Sequence, residues 1–262
     1  MSRNRQLVAT LGVIDAVLLF FLVNPWFSAD QISDTVRVIT TWAFWILFIA
    51  IVVLLFQERN TSGATEVQVE GPAFARFLFS NTQAGWFWLP IRLFVGFSWL
   101  EAGWHKLAPT DGVWGKGWLD GGTALQGFWT HAVAVSPEGK GQISYDWYRD
   151  FLNLMLTNQW YVWFAWLIVF GEILVGLGLL FGALTGPAAF FGALMNSSFM
   201  LAGSTSSNPV LFTMAIGLML GWKVAGYIGL DRYLLPLVGV PWRAQVQTNQ
   251  PVTTPTPTPT TT

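Results

Sequence analysis

The chain has 262 residues, of which 53% are hydrophobic and 10% are charged, with a formal net charge of −1 at pH 7. Soluble domains carry about 25% charged residues, so this composition indicates a membrane protein and gives no reason to expect a nucleic-acid partner. The absence of cysteine excludes disulfides, thiolate nucleophiles and cysteine metal sites, and two histidines are too few for a multi-haem protein. We therefore expect no metal, haem or iron–sulfur cluster.

Six mostly apolar windows are long enough for helices that cross a bilayer, because such a helix needs about 20 residues. They cover residues 6–26, 36–56, 87–107, 159–182, 185–203 and 209–229. The predicted fold class is all-α: a polytopic membrane protein with a four-helix transmembrane bundle and an N-terminal pair of transmembrane helices. Asp15 interrupts the first window and no small-residue cleavage site follows it, so we expect this span to be retained.

Polar and low-complexity stretches predict the domain boundaries. The helix pair occupies residues 1–57, a cytoplasmic linker with an interfacial segment occupies 58–86, and the four-helix unit covers 87–236. A Thr/Pro-rich tail at 237–262 is predicted to be disordered. Six spans put both termini on one side, where eight Lys or Arg residues fall against five opposite, which favours the cytoplasm. We expect a bacterial or archaeal plasma membrane.

The long connection between the third and fourth spans, residues 108–158, is predicted to form an outer cap. Its tryptophans and apolar residues need a surface on which to pack, which argues against disorder. Trp147, Phe151, Leu154 and Met155 recur at helical spacing, so we expect a short amphipathic helix that lies over the outer membrane surface.

An outer group of ionisable residues ends the third span. Glu101, His105 and Lys106 lie within FSWLEAGWHKLAP (97–109), and Glu101 and His105 form an i,i+4 pair. Ionisable residues inside a membrane cost about 2.5 to 3.5 kcal/mol each, so they indicate a partner or a function. The polar turn LAGSTSSNP (201–209), which contains Asn208, is predicted to lie near this outer group.

A second, inner group is predicted from helical rise, about 1.5 Å per residue. Its members are Arg92, Glu172, Asn196 and Lys223, with Glu172 as the anion between two cations. Alternatively, Arg92, Lys106 and Lys223 extend their charged ends to the headgroups, and His105 is a hydrogen-bonded packing residue.

Three stretches together resemble the DoxX/DoxD family, which includes the DoxD-type membrane subunit of thiosulfate:quinone oxidoreductase. They are RLFVGFSWLEAGWHKL, FGEILVGLGLLFGALTGPAAFFGALMNSSFMLAG and AGYIGLDRYLLP, and the resemblance covers residues 87–236. It implies a four-helix membrane bundle that oxidises thiosulfate to tetrathionate with quinone as cofactor and a DoxA-like subunit as partner.

The resemblance also implies roles for the residues of the two groups, for Asn208 of the polar turn and for Arg149 of the cap. Catalytic roles fall to Glu101, His105, Lys106 and Glu172, as proton donors or as cations facing a dianion. Substrate-binding roles fall to Arg92, Arg149, Asn196, Asn208 and Lys223.

Three functions remain open from the sequence. The first is the membrane subunit of a quinone-linked oxidoreductase that acts on thiosulfate. The second is a noncatalytic subunit that docks on a larger respiratory or photosynthetic complex through its cap and helix pair. The third is a transporter or channel, for which the sequence has the buried charges but neither inverted repeats nor a clear broken helix.

Overall fold

A computed structural model describes residues 3–23, 34–61, 71–137, 139 and 141–242. These residues form α-helices joined by turns and a short 3-10 segment, with two isolated bridges between residues 108 and 145. The helices are α1 Arg3–Val23, α2 Asp34–Thr61, α3 Ala73–Ser80, α4 Gly85–Leu107, α5 Thr123–Val133, α6 Asp146–Thr157, α7 Tyr161–Phe181, α8 Thr185–Leu201, α9 Asn208–Leu220, α10 Trp222–Ala225 and α11 Asp231–Leu237. The all-α fold class is confirmed.

Helices α4, α7, α8 and α9 pack into one unit, in which α4 contacts α7 and α9, and α8 contacts α7 and α9. Helices α4 and α7 approach each other closely: a Cβ atom on Gly176 would lie 2.6 Å from the backbone nitrogen of Leu100. Gly96 and Gly103 on α4 also lie close to α7, where an added Cβ atom would be 2.9 Å from the backbone nitrogen of Leu180 and 3.0 Å from that of Ile173, respectively. Small residues of this kind let two helix backbones meet without intervening side chains.

The sixth predicted span is not one continuous helix, and this corrects the sequence prediction. Helix α9 ends at Leu220, Gly221 follows, and the short α10 covers Trp222–Ala225. Gly221 packs on the indole of Trp88, where an added Cβ would lie 2.8 Å from the ring. Among the described helices, α7 alone is both long and apolar enough to cross a membrane, while Gln6–Leu19, Val38–Leu54 and Asn208–Leu220 are shorter apolar stretches.

The cap, residues 108–158, contains α6 and also α5, a helix that the sequence reading did not predict. Its apolar residues share a core with the near end of α7 and with Ala202, which follows α8: Leu125, Trp129, Ile143, Tyr148, Leu152, Met155, Ala165, Ile168 and Ala202. The cap is therefore an ordered layer over one end of the four-helix unit.

The predicted amphipathic helix of the cap is present as α6, and one of its two apolar stripes is buried in the cap. Tyr148, Leu152 and Met155 are buried against the cap core, whereas Trp147, Phe151 and Leu154 are exposed. Helix α6 has two apolar stripes about 100° apart, and periodicity alone does not say which of them faces the protein.

Helices α1 and α2 pack against each other. Asp15 on α1 is buried, and its Oδ1 atom has no hydrogen-bond partner among the described residues. Residues 62–70 of the predicted linker and residues 243–262, most of the Thr/Pro-rich tail, lie outside the described residues.

Candidate functional site

A buried ion pair joins α4 to α7. The Nζ atom of Lys106 donates to Glu172 Oε2 at 2.6 Å and to the carbonyl oxygen of Ala102 at 3.2 Å. The side chain of Glu172 is 1% exposed and that of Lys106 is 18% exposed. The ammonium also lies over the ring of Trp118 from the cap, 5.2 Å from its centroid, which adds a cation–π contact.

The packing of α4 on α7 explains why these two residues meet. A Cβ atom on Gly103 would lie 3.2 Å from Glu172 Cβ, so the two helices touch directly at the level of Glu172. Lys106 begins one turn further out and bends back, as its bond to the Ala102 carbonyl shows. The long lysine stem thus brings its ammonium to the depth of the carboxylate.

This pairing corrects the predicted inner group. Glu172 bonds Lys106 of the outer group, not Arg92 or Lys223. Lys223 is exposed on α10, with its ammonium 5.8 Å from the ring of Trp222. The prediction measured depth at the Cα atoms and ignored the reach of the Lys106 side chain.

Arg92 belongs to a separate arrangement at the opposite end of the unit from the cap. It is 2% exposed, and its Nη2 atom donates to the carbonyl oxygen of Ile228 at 2.8 Å. Gly182 leaves room for the guanidinium, since a Cβ atom there would overlap Nη1. Asp231 accepts bonds from the backbone nitrogens of Leu184, at 2.6 Å, and of the first α8 residue, at 2.9 Å. Asp231 therefore caps α8, and Arg92 acts in packing.

A cavity of about 480 Å³ opens beside the ion pair, within the usual range for small-molecule sites. Its wall combines aromatic and apolar side chains with hydroxyl, amide and charged groups. The lining residues are Ser98, Trp99, Glu101, Ala102, His105, Lys106, Trp118, Phe128, Glu172, Phe199, Ser204, Ser206, Ser207, Asn208 and Leu211. All four predicted catalytic residues lie in this wall.

The polar turn between α8 and α9 forms one side of the cavity, next to the outer group as the sequence predicts. Ser204, Ser206 and Ser207 line it together with Asn208, whose Nδ2 atom donates to the Ser204 carbonyl oxygen at 2.9 Å. Ser206 has a φ of 37°, a left-handed conformation that is uncommon for residues other than glycine. The tight turn presents several hydroxyl groups to one space.

Glu101 and His105 stand on the exposed face of α4. Glu101 Oε1 lies 3.8 Å from His105 Nε2, and both side chains are largely open to the surroundings. Periodicity predicts this division of α4, since Arg92, Gly96, Trp99 and Gly103 on the other face are all buried. Both residues also line the cavity.

Arg149 and Asn196 do not line the cavity. Arg149, in the cap, donates from Nη1 to Asp146 at 2.6 Å and from Nη2 to the Ile143 carbonyl oxygen at 2.7 Å. Asn196 is completely buried on α8. Both were predicted to bind substrate; the structure gives Arg149 structural partners within the cap.

The sequence reading missed several lining residues, among them Trp99, Trp118, Phe128 and Phe199. The sequence does indicate Trp99 as a neighbour of the site, because Trp99 lies seven residues before Lys106 and on the same face of the helix. The others come from α5, from the turn before it and from α8, and no spacing in the sequence relates them to Lys106. Only tertiary packing, of the cap and of α8, brings them to the site.

Comparison with protein-family models, with curated proteins and with solved structures gives no match to this chain. The resemblance to the DoxX/DoxD family therefore rests on the residues quoted above and stays a prediction.

Proposed function

We propose that this chain is a polytopic membrane protein and the membrane subunit of a quinone-linked oxidoreductase, with the quinone head group bound in the cavity beside Lys106 and Glu172. The observation that carries the proposal is the buried Lys106–Glu172 pair in the wall of a partly aromatic cavity. An ion pair removed from solvent, with open space beside it, is typical of a functional site within a membrane.

The exposed surface of the four-helix unit supports the membrane assignment. Large apolar side chains point outward from its helices, including Phe94, Phe97, Phe170, Leu174, Phe190, Phe191 and Leu194. Contiguous apolar surface of this extent is rare on soluble monomers and is expected where helices face lipid. We propose a bacterial or archaeal plasma membrane, with the cap outside and both termini in the cytoplasm.

The absence of cysteine makes this topology simple to test, because a single introduced thiol has no background. Thr130→Cys, exposed on α5, should react with a membrane-impermeant maleimide in intact cells, and Gly71→Cys should react only after the cells are opened. The reverse pattern would refute the orientation, and extraction of the chain by alkaline carbonate would refute membrane insertion.

The lining residues have the chemistry that a quinone requires. Phe128, Phe199 and Leu211 offer apolar contact to a ring, while Lys106 and Asn208 carry N–H donors for carbonyl oxygens. A bound quinone would supply the capacity to accept two electrons and two protons. Glu172 and Lys106 are placed to transfer protons inside the cavity, and the Glu101–His105 pair links its margin to the surroundings.

Thiosulfate is the reductant that the resemblance implies. In the balanced reaction, two thiosulfate ions form one tetrathionate and release two electrons, and one quinone takes these electrons with two protons to become quinol. A dianion needs cations, yet Lys106 is neutralised by Glu172 and Arg149 is bound to Asp146. We therefore propose that a DoxA-like partner subunit completes the thiosulfate site.

The test is thiosulfate-dependent quinone reduction in membranes that contain this chain with a DoxA-like subunit. Lys106→Ala and Glu172→Gln should each abolish most of the activity at matched protein levels. Lys116→Ala is the control, because Lys116 pairs with Asp111 on the cap surface and does not line the cavity. Absence of activity in the wild-type chain, or full activity in both cavity variants, would overturn the oxidoreductase proposal.

A noncatalytic docking subunit is the second candidate, and the exposed stripe of α6 favours it. Trp147, Phe151 and Leu154 present an apolar surface on the cap that the described residues leave uncovered. A large complex docked there would copurify with the wild-type chain and be lost from Trp147→Ser, while Glu101→Gln and His105→Ala would leave the association intact. Unchanged copurification of the Trp147 variant would refute docking through this stripe.

A further inference from the structure

The ammonium of Lys106 has three N–H groups, and two of them have acceptors in the protein. One donates to Glu172 Oε2 at 2.6 Å, and another donates to the carbonyl oxygen of Ala102 at 3.2 Å. The described residues offer no hydrogen-bond acceptor to the third N–H, and Lys106 lines the cavity. One N–H group is therefore left for a molecule that occupies the cavity.

The ring of Trp118 restricts where this ammonium can lie. Its centre is 5.2 Å from Lys106 Nζ, within the range of a cation–π contact, and Trp118 also lines the cavity. A lysine near the end of a membrane helix otherwise extends its ammonium toward the headgroups and water. The Lys106 side chain is 18% exposed, so it is not fully enclosed. Attraction to the ring therefore opposes an outward rotation of the lysine.

The turn that carries Trp118 is bonded to both helices of the ion pair. The N–H of Gly115 donates to the carbonyl oxygen of Leu107, the last residue of α4, at 2.9 Å, and the N–H of Trp118 donates to the carbonyl oxygen of Gly115 at 2.9 Å. From α7, the indole Nε1 of Trp166 donates to the carbonyl oxygen of Leu119 at 3.1 Å. These bonds fix the position of the ring relative to the ion pair.

Two glycines give the turn a backbone conformation that other residues rarely adopt. Gly115 has a φ of 61° and Gly117 a φ of 77°, both in the left-handed region that favours glycine. The N–H of Gly117 donates to the carboxylate of Asp120, which closes the turn around Trp118. The conformation that presents the ring is therefore specified by the local sequence GKGWLD (115–120).

The charge of the ion pair determines which ligand this arrangement suits. Glu172 balances Lys106, so the pair presents no net charge to the cavity. A neutral oxygen atom, such as a ring carbonyl, can accept the third N–H without a counter-charge. A free anion would be repelled by the Glu172 carboxylate, which lies 2.6 Å from the same ammonium.

We infer that Trp118 is a positioning residue: its ring holds the Lys106 ammonium in the cavity wall, where the third N–H donates to a neutral oxygen atom of the ligand. The role of the ring rests on the contacts of Lys106 alone. The donation to the ligand rests on the proposed function, because it concerns the same cavity. Trp118 acts on the ligand through Lys106.

The first measurement follows the Lys106 amine and needs no ligand. The full-length chain in lipid nanodiscs is treated briefly with sulfo-N-hydroxysuccinimidyl acetate, and mass spectrometry gives the acetylation rate of Lys106 relative to that of Lys116. Trp118→Leu and Trp118→Met should each raise this ratio about tenfold, the effect expected when a partly buried cation–π contact is lost. Trp118→Phe keeps an aromatic face and should raise the ratio by at most about threefold.

Trp114→Leu is the matched control and should keep the wild-type ratio. Trp114 belongs to the same turn, is 57% exposed and packs on Trp104 outside the cavity lining. Lys116, with a side chain that is 46% exposed, corrects for the dose of reagent. Phenylalanine, leucine and methionine all remove volume from the Trp118 position, so a role in packing alone would give the three Trp118 variants the same ratio.

The second measurement is calorimetric titration of the same samples with a decyl-substituted benzoquinone. Wild-type protein and Trp114→Leu should bind it equally. Trp118→Leu and Trp118→Met should bind it about tenfold more weakly, the effect of one well-placed hydrogen bond.

The outcomes separate the two proposals. An unchanged acetylation ratio in Trp118→Leu and Trp118→Met, or an equal rise in Trp118→Phe, refutes the positioning role whatever the quinone does. If the ratio changes as expected but the wild-type chain does not bind the quinone, the positioning role stands and the quinone proposal fails. If the quinone binds wild type and Trp118→Leu equally, the donation from Lys106 to the ligand is wrong.

Discussion

Replacing Lys106 with methionine should remove one half of the buried ion pair and leave the other half in the interior. Methionine keeps most of the apolar stem, so the main change is the loss of the ammonium that lies 2.6 Å from Glu172. Because Glu172 is 1% exposed, its charge would have neither a partner nor water. Breaking a buried pair in this way costs about 3 to 5 kcal/mol of unfolding free energy.

The complementary variants give the expected order. Glu172→Leu should cost less, about 1 to 3 kcal/mol, because the 18% exposed Lys106 can turn toward the surroundings. The double variant Lys106→Met/Glu172→Leu should return to within about 1 kcal/mol of wild type, since no charge stays buried. Lys116→Met removes an exposed pair with Asp111 and should cost at most about 1 kcal/mol.

Thermal unfolding of the four variants in nanodiscs, followed by circular dichroism, checks this order. A cost of 3 to 5 kcal/mol corresponds to a fall in Tm of roughly 6 to 20 °C for a chain of this size. The reasoning is refuted if Lys106→Met unfolds within about 2 °C of wild type, or if the double variant is no more stable than Lys106→Met.

Three further predictions concern other parts of the chain. Gly176→Ala should lower the unfolding free energy by about 1 to 3 kcal/mol, because the new Cβ atom would lie 2.6 Å from the Leu100 backbone. Gly127→Ala is the control and should be neutral or slightly stabilising, because the space around Gly127 is open. Thermal unfolding curves of the two variants are compared. Asp231→Ala should cost about 1 to 3 kcal/mol in the same assay, because two backbone N–H groups at the start of α8 lose their acceptor. Burial raises the pKa of Tyr148. The protonated hydroxyl therefore stabilises the folded state fully below about pH 10, and this stabilisation is lost as the pH rises through the pKa of the folded protein. Tyr148→Phe should reduce the fall of Tm with rising pH, as thermal unfolding at a series of pH values measures.

Helix α4 shows how far periodicity can predict a site. Its apolar pattern and 100° turn per residue separate Arg92, Trp99 and Lys106 from Glu101 and His105, and the structure has the same division between buried and exposed faces. The turn at residues 201–209 is equally local, because its polar composition between two apolar runs indicates both a turn and its side of the bundle.

The partner of Glu172 was beyond this kind of reasoning. The depth of a residue along one helix can be predicted from the helical rise per residue. The axial offset between α4 and α7 cannot, because it depends on which glycines of one helix meet which residues of the other. In addition, the lysine side chain is long enough to carry its ammonium group about one helical turn from its Cα atom. The same limit applies to α6, which has two apolar stripes, because only the packing of the cap core shows which of them is covered.

The sequence by itself determined the all-α class and the positions of the long helices, because these follow from composition and local periodicity. It also identified the ionisable residues within the apolar windows as candidate functional residues, because a charge in an apolar environment is costly in free energy. Tertiary structure alone decided that Lys106 and Glu172 form one pair, that Arg92 and Asp231 serve packing at the other end, and that cap and turn enclose a cavity between them. Those relations are contacts between residues far apart in the chain, and they depend on helix register and side-chain reach, which no local pattern encodes.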